Sequence, residues 1–381
     1  MARTKRTKPG PKKRPTSAKP SAKKRPSVAK AAPRAKPKAA KPKANTRSTP
    51  IAAVPPVARL TVLDVGHGNS AVLVADGHNV VFDAGPGSSL LEFLRQANIV
   101  EVHEVFVSHA DQDHIEGILA LLGENIRIHS VRVNTDSLKE SELWNDLLYE
   151  IEQRRLAGET RLRIGLTSDL EPFTFGQVVV TVLGPSPYLA GRGPGSTDND
   201  GRAINSNSSS AVLRVGASGE RGVLFTGDLD GVGLADLERC SVTLDADVLV
   251  YPHHGGRAAT NDSAFAQRLA RLAKPKHVLF SIERGGRNPG NPRPDVVAAI
   301  RQALPNARIA CTQLSSHCAA ATPASDPSHL LPIYARGRSA KACCAGSMVL
   351  DLPIQTVTPM QPGHLTFINT HARTALCVVG P

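Results

Sequence analysis

Four residues of types that bind metal ions lie within six positions of the segment VFVSHADQDHIEGILALL. They are His109, Asp111, Asp113 and His114, and they follow an apolar run that is typical of a buried strand. His109 and Asp111 are two residues apart, so both side chains point the same way in an extended loop. This spacing predicts a metal site. The alternative is a capped helix start with solvated acids, which explains Asp113 as an N-cap but not both histidines.

Two later segments supply further ligand types, each at the end of a predicted strand. GVLFTGDLD carries Asp228 in a Gly-flanked turn, and VLVYPHHGG ends in His253 and His254. Strand ends on one edge of a layered sheet protein converge in space. We therefore expect these side chains to join the first cluster.

The surrounding pattern alternates groups of strands with helices. Predicted strands lie at 59–64, 70–75, 79–83, 128–133, 172–183, 210–215, 222–227 and 307–311, and predicted helices at 140–155, 263–273 and 294–303. The sequence SSLLEFLRQA predicts a further helix capped by Ser88 or Ser89. Each half can form a sheet covered on its outer face. The fold class predicted is therefore α/β (α+β), a four-layer αββα sandwich of roughly 250 to 300 residues.

The order of these motifs resembles the metallo-β-lactamase superfamily. More narrowly, it is similar to the hydrolase domain of ComEC-type DNA-uptake proteins and their soluble relatives. The resemblance is carried by LDVGHGNSAVL, VVFDAG, SHADQDHIEG, NSSSAVLRV, GVLFTGD, VYPHHGG and SIERGGRNPGNPRPDVV, with CCAGSMVLDL similar to the closing strand. It covers about residues 58–312 and implies a hydrolase with two divalent metal ions.

The resemblance also implies roles for individual residues. The metal ligands that it implies are His109, Asp111, Asp113, His114, Asp228 and His254, with Asp228 bridging the two ions. The catalytic residues that it implies are Asp113, Asp228 and His253. Residues expected to orient ligands or to contact substrate are Asp83, Asn207 and Asn291. His254 is favoured over His253 as the ligand, and Asn291 stands where many relatives have a histidine.

The metal is expected to be Mn²⁺ ahead of Zn²⁺, with Mg²⁺ as a third choice. Asp111 stands where other branches of the superfamily have a histidine, and a carboxylate-rich ligand set favours harder cations. Two such ions can bind a phosphodiester, activate water and stabilise the leaving oxygen.

The first fifty residues have a different composition from the rest. They contain 18 Lys and Arg, no Asp or Glu, and nine Pro, whereas the remainder has a net charge of −5. Such a segment cannot bury enough apolar surface to fold, so we expect a disordered basic tail over residues 1–57. Its residues 1–50 would bind nucleic acid through the phosphate backbone. The alternative is a solubilising or envelope-binding tail.

Neither a secretion signal nor a membrane span is recognisable in the sequence. We therefore expect a cytoplasmic protein, with nucleoid association if the tail binds DNA, and no membrane partner. The domain prediction is a hydrolase domain over 58–352, with an insertion at about 313–342, and a C-terminal extension over 353–381. The sequence leaves the oligomeric state open.

A second set of ligand types lies in and beside that insertion. Its members are Cys311, His317, Cys318, Cys343 and Cys344. One interpretation is a structural zinc clamp that ties the insertion to the closing strand. The alternative is that these are free cysteines that pack as small apolar groups.

Three functions are compatible with these features. The first is a metal-dependent phosphodiesterase or nuclease acting on DNA, recruited by its tail. The second is a small-molecule hydrolase for a cyclic nucleotide, a phosphorylcholine ester or a lactone, with the tail used for localisation. The third is a nucleic-acid-binding protein with a degenerate site, which the near-complete ligand set disfavours because unpaired buried charges are costly.

Overall fold

The computed structural model describes residues 58–124, 126–285, 290–354, 357–359, 362–372 and 375–377. The predicted basic tail therefore lies outside the described residues. In the described part, the chain forms a mixed α/β sandwich with eight α-helices, which confirms the predicted fold class.

Strands and helices alternate along the described chain. The strands are β1 (Ala58–Val62), β2 (Ser70–Ala75), β3 (His78–Ala84), β4 (Glu101–Val102), β5 (Glu104–Phe106), β6 (Arg127–Ile128), β7 (Ser130–Val133), β8 (Arg161–Ile164), β9 (Phe173–Phe175), β10 (Val178–Gly184), β11 (Val212–Ala217), β12 (Val223–Phe225), β13 (Val248–Val250), β14 (His277–Phe280), β15 (Arg308–Cys311), β16 (Met348–Leu352) and β17 (Val357–Thr358). The helices are α1 (Ser89–Gln96), α2 (Gln112–Leu122), α3 (Glu142–Leu156), α4 (Pro187–Arg192), α5 (Gly231–Arg239), α6 (Asp262–Ala273), α7 (Pro294–Ala303) and α8 (Gly363–His371).

Two large sheets form the centre of the sandwich. The first has the order β17-β16-β1-β2-β3-β5-β7-β8, and the second has the order β15-β14-β13-β12-β11-β10-β9. Strands β3, β5, β7 and β8 are parallel, as are β12, β13, β14 and β15. Parallel strands place their carboxyl ends at one edge of the sheet, so the loops that follow β3, β5, β12 and β13 can meet there.

Side-chain alternation divides the core into three layers. In β2, Leu73 packs between the two sheets whereas Val72 packs outward against the helices. In β3, Phe82 faces the middle layer and Val81 faces the outer one. Successive side chains of a strand point to opposite faces, so a continuous run of apolar residues covers both faces of a buried strand. The outer layer of the second sheet is completed by helices that include α6, α7 and α8.

Several elements differ from the sequence prediction. The predicted strand 172–183 is a hairpin, β9 and β10, because Gly176 turns the chain at φ +60°. Ser88 occupies the N-cap of α1 but makes no side-chain capping hydrogen bond. Helices α4, α5 and α8 were not predicted. Helix α4 is short, with six residues. Helix α8 depends on packing, since it buries Phe367 and Ile368 against the second sheet.

None of the helices in the described part of the chain has both the length and the apolar content that crossing a bilayer requires.

Candidate metal centre

Ligand-type side chains from three segments meet at the carboxyl ends of the strands. Asp113 and His114 come from the loop and helix after β5, Asp228 from the turn after β12, and His254 from the turn after β13. One ligand atom of each lies within 4.8 Å of those of the other three. We call Asp113, His114, Asp228 and His254 the four-ligand group.

The distances within the group are those of a preformed polar cluster. His254 Nε2 lies 3.1 Å from Asp113 Oδ2, and His114 Nε2 lies 3.3 Å from Asp228 Oδ1. His114, Asp228 and His254 are all buried, and Asp113 is partly buried. The sequence placed Asp113 as an N-cap in the alternative interpretation, but α2 begins at Gln112 with Asp111 at the N-cap position. The helix-cap explanation of Asp113 is therefore wrong.

Hydrogen bonds fix which nitrogen of each histidine faces the group. His254 Nδ1 is 2.9 Å from the Ser281 carbonyl oxygen, so it carries the proton and donates it. His114 Nδ1 is 2.7 Å from Asp83 Oδ2, and donates to that carboxylate. Both Nε2 atoms therefore face the group, and each would present a lone pair to a metal ion once it has lost its proton. A carboxylate or carbonyl behind the imidazole is the usual partner of a metal-binding histidine.

Hydrogen bonds fix the position of the Asp83 carboxylate beside His114. It accepts hydrogen bonds from the Ser108 backbone amide at 2.7 Å and from the Ser108 hydroxyl at 2.8 Å. Its backbone has φ +54°, a conformation that a non-glycine residue adopts only when its surroundings enforce it. Asp83 therefore contacts the His114 nitrogen that faces away from the group.

The charges of the group favour a bound cation. Burial raises the pKa of Asp113 and of Asp228, but the neighbouring histidine charges outweigh it and hold both below the usual value. Burial lowers the pKa of His114, but the charges of Asp228, Asp83 and Asp113 hold it well above its usual range. Ionised carboxylates packed this closely need a positive charge among them.

The donor set fits a divalent metal ion. Among the described residues, the Nε2 atoms of His109, His114 and His253 are buried without a hydrogen-bond partner. Buried polar atoms are rarely left in this state, and a metal ion would satisfy the lone pairs of these nitrogens. Imidazole nitrogens combined with carboxylate oxygens suit Zn²⁺ or Mn²⁺.

His109 and Asp111 lie beside the four-ligand group in a different arrangement. His109 Nε2 is 3.6 Å from Asp111 Oδ2 and 4.0 Å from Asp228 Oδ2. Asp111 Oδ1 is in contact with the Lys139 ammonium. Burial raises the pKa of Asp111, but His109 and Lys139 lower it to about 2. We call His109 and Asp111 the outer pair.

His253 lies on the other side of Asp228. Its backbone amide donates to Asp228 Oδ1 at 3.1 Å, and its Nδ1 is 3.4 Å from Asp228 Oδ2. Both His253 and His254 have positive φ, at +51° and +56°. Strained backbone at two successive histidines is typical of a functional site. It turns both imidazoles toward Asp228.

The two predicted asparagines lie in different places. Asn291 lines the cavity beside the site, and its Nδ2 is 3.5 Å from the His253 carbonyl oxygen. Asn207 begins a short 3₁₀ turn, Asn207–Ser209, and its Oδ1 is buried without a hydrogen-bond partner among the described residues. Ser210, just after that turn, accepts a hydrogen bond from the Asp228 amide at 3.0 Å.

A cavity of about 430 Å³ opens directly onto these side chains. Its lining includes Asp228, His253 and His254, together with the cationic residues Arg257 and Arg293. Arg293 also pairs with Asp295 at 3.0 Å. Among the residues that the structure describes, no carboxylate pairs with Arg257, which is exposed.

Sequence reasoning missed three residues of this site. His67 lies 3.4 Å from Asp113 Oδ2 and packs its ring 4.4 Å from that of His254. Burial and the charge of His254 lower its pKa to about 4, so it is neutral at pH 7. Lys139 and Arg257 are the other two. Only His67 carried a signal in the sequence, a histidine between two glycines after a buried strand.

The five residues of the predicted zinc clamp do not bring three ligand atoms within 4.8 Å of one another. Cys343 donates to Asp64 Oδ2 at 3.5 Å, whereas the Cys344 sulfur lies 3.3 Å from His364 Nε2. His317 lies 3.2 Å from the Gly290 carbonyl oxygen. Cys311, Cys318 and Cys344 belong to the apolar layer outside the second sheet. We call this set the cysteine region.

The separation has a simple physical reason. Cys343 and Cys344 are consecutive in an extended segment, so their side chains point to opposite sides. In the described part of the chain, two sets of residues bring at least three ligand atoms within 4.8 Å, and neither includes a cysteine. The geometry agrees with the alternative of free, buried cysteines.

Comparison with known proteins gives one family. The model of the Metallo-beta-lactamase superfamily matches residues 63–273, more than half of the chain. No curated protein matches the sequence.

Solved structures with a similar arrangement are distant in sequence. Unliganded yeast PDE1 is 12% identical, with 67% of this chain and 97% of that chain covered and a TM-score of 0.44. The metallo-beta-lactamase fold protein YhfI from Bacillus subtilis is 12% identical, with 66% and 96% covered and a TM-score of 0.42. The short form of human tRNase Z is 15% identical, with 59% and 93% covered and a TM-score of 0.35.

Proposed function

The chain belongs to the metallo-beta-lactamase superfamily of metal-dependent hydrolases, and on that premise we propose that it hydrolyses phosphodiester bonds in DNA. The observation that carries the proposal is the cavity at the four-ligand group, which has Arg257 and Arg293 in its wall. Guanidinium groups bind phosphate oxygens with matching geometry, so an anionic phosphodiester fits this cavity better than a neutral substrate does.

The metal ions would be held by the residues already described. The four-ligand group is proposed to hold the first ion, and the outer pair, with Asp228 shared, is proposed to hold the second. Mn²⁺ is the proposed metal, ahead of Zn²⁺ and Mg²⁺, because the set is rich in carboxylates. Divalent ions bound there would supply an electrophile for the phosphoryl oxygens and would activate water at neutral pH.

The chain's own side chains would bind and orient the substrate. Arg257 is proposed to bind a phosphate oxygen of the DNA backbone, and Asn291 is proposed to position His253 by donating to its carbonyl oxygen. His253 projects into the cavity beside Asp228, where it can contact the scissile phosphate. Helix α2 begins at Gln112, and the partial positive charge of its amino end favours an anion at the same edge.

The choice of DNA rests on the first fifty residues and on the sequence resemblance. Eighteen lysines and arginines without an acid make residues 1–50 a polycation, which binds phosphate backbones by releasing counterions. The motif order is similar to that of the hydrolase domain of ComEC-type DNA-uptake proteins. We therefore propose that the tail recruits DNA and that the metal centre cleaves it.

The experiment compares cleavage of labelled single- and double-stranded DNA by three proteins with Mn²⁺, Mg²⁺ or Zn²⁺. They are the full chain, Asp113→Ala/His114→Ala, and a chain that begins at Ala52. We expect metal-dependent cleavage by the full chain and none by the double variant. The shortened chain should cleave more weakly, with a smaller dependence on salt, because it has lost phosphate contacts.

Two results would overturn the proposal. If no metal supports cleavage while the full chain still binds DNA, the nuclease assignment is wrong. If a small phosphodiester such as bis(p-nitrophenyl) phosphate is hydrolysed while every nucleic acid is left intact, the small-molecule hydrolase replaces it.

A further inference from the structure

Lys139 places a fixed positive charge inside the metal centre. It lies in the loop between β7 and α3, and its ammonium contacts Asp111 Oδ1. The Lys139 side chain is 27% exposed, so this is a half-buried ion pair and not a surface lysine that happens to lie near an acid.

The loop that carries Lys139 is anchored at both ends. On one side, Asn134 Nδ2 donates to the Leu166 carbonyl at 3.0 Å, and Asp136 accepts a hydrogen bond from the Ser206 hydroxyl. On the other side, Ser141 caps α3 by accepting from the Trp144 amide at 3.3 Å. These contacts limit the positions that the ammonium can reach, so the pairing with Asp111 is built into the loop.

The ion pair changes what Asp111 can offer to a metal ion. One oxygen of Asp111 is engaged by Lys139, and the other lies 3.6 Å from His109 Nε2. In contrast, the ion-pair partners of Asp113 and Asp228 among the described residues are all histidines. The histidine partners in the four-ligand group can lose a proton and become metal ligands, whereas the Lys139 ammonium has no lone pair and must be displaced from Asp111.

We infer that Lys139 competes with the second metal ion for Asp111 and makes the two metal positions unequal. The four-ligand group binds its ion first and tightly. The outer pair binds a second ion only when the ammonium gives up its hold on Asp111, because an ammonium and a divalent cation beside one carboxylate repel each other. This inference rests on the metal site of the proposed function.

The occupancy of the second metal position therefore depends on the free metal concentration. At low free metal the protein holds one ion, with Lys139 balancing Asp111. At higher free metal the second ion binds at His109 and Asp111 and the ammonium is displaced. Lys139 is in this respect a positioning residue, since it acts through Asp111.

The test is a titration of the metal-free full chain with Mn²⁺ by calorimetry, with bound metal counted by elemental analysis. The proteins are wild type, Lys139→Met, Lys139→Arg and Asp111→Asn. Lys276→Met is the matched control. The Lys276 ammonium pairs with Asp247 at a distance of 3.0 Å, and neither residue belongs to the metal centre. Thermal melting of each protein shows that it is folded.

We expect two unequal binding steps in wild type. Lys139→Met should strengthen the second step by about tenfold or more and leave the first unchanged, because a competing unit charge has been removed. Lys139→Arg keeps the charge and should keep the second step weak. Asp111→Asn should weaken or abolish the second step alone, which assigns that step to Asp111. Lys276→Met should match wild type.

The inference falls if the second step of Lys139→Met is as weak as in wild type or weaker, or if wild type binds two ions with equal affinity. These outcomes are independent of the proposed function, since DNA cleavage is a separate assay. Cleavage with an unchanged second step overturns only the inference. A strengthened second step in a protein that cleaves no DNA overturns only the proposed nuclease.

Discussion

The four-ligand group and the cysteine region were both considered as metal sites from the sequence, and the structure gives them opposite arrangements. Each is a set of ligand-type residues from more than one segment of the chain. The first is brought within 4.8 Å at one edge of the sandwich, whereas the second is divided between a hydrogen bond to Asp64, a contact with His364 and an apolar layer. Ligand-type residues at a suitable spacing in the sequence form a metal site only when the fold brings the loops that carry them to one place.

The same contrast appears in the buried histidines of the two regions. His114 is surrounded by carboxylates, and their charges hold its pKa well above the usual value despite burial. His364 lies beside Cys344 with no carboxylate in contact among the described residues, and burial lowers its pKa to about 4. The neighbours of a buried histidine therefore decide whether its site attracts positive charge or excludes it.

The largest expected effect comes from breaking the four-ligand group. Asp228→Asn keeps the shape of the side chain but removes a charge that faces His114, His253 and His254. We expect kcat/KM for the cleaved phosphodiester to fall by about 10³-fold or more. The measurement is steady-state kinetics at saturating Mn²⁺, with Cys343→Ser as the unaffected control. A loss of less than tenfold would show that Asp228 has no essential role in the reaction.

A smaller effect is expected at Asp83, which contacts the proposed ligand His114 but is not itself a proposed ligand. Asp83→Asn leaves His114 Nδ1 without its charged acceptor, which now lies 2.7 Å away. We expect metal affinity to fall by about 10- to 100-fold, with activity restored at high metal concentration. A competition titration with a chelating dye measures the affinity. An unchanged affinity would show that Asp83 supports the fold and does not tune the metal site.

A pH effect is expected at His364, which contacts Cys344 of the cysteine region. The pKa of His364 is lowered from 6.5 to about 4 by burial, so the folded state favours the neutral form. Its contribution to stability is fully present above pH 6.5 and is lost as the pH falls toward 4, by up to about 3 kcal/mol. Urea unfolding between pH 7 and pH 4 should show this loss in wild type.

His364→Leu is the control for this dependence of stability on pH. The variant should lose less stability than wild type between pH 6.5 and pH 4, because it has no imidazole to protonate. The buried histidines His67 and His277, whose pKa is also lowered to about 4, remain in both proteins and cancel. Parallel curves for the two proteins would show that His364 is not buried in its neutral form.

The smallest effect is expected from the cysteines themselves. Cys343→Ser replaces the thiol that donates to Asp64 with a hydroxyl that can do the same. We expect the zinc content of the purified protein to stay the same, as measured by elemental analysis. If one equivalent of zinc disappears and the melting temperature drops with it, the predicted zinc clamp exists after all and the contrast between the two regions fails.

Much of the fold could be predicted because its signals are local. The apolar runs of β2 and β3, the helical spacing of α2 and the Gly-rich turns all reflect neighbours in the chain. Helix α8 could not be predicted in this way, since its buried Phe367 and Ile368 are fixed by the sheet on which they pack. The sequence predicts one strand where the hairpin of β9 and β10 lies, because a single glycine marks its turn.

The sequence by itself determined the fold class, the family and the ligand types at the ends of the strands, because these depend on residue identity and short spacing. The tertiary structure alone decided that Lys139 pairs with Asp111, that Arg257 lines the cavity and that the cysteines point in different directions. These facts join residues that are far apart in the chain. Charge balance and side-chain direction arise only when the sheets pack together, and they set what each ligand-type residue can bind.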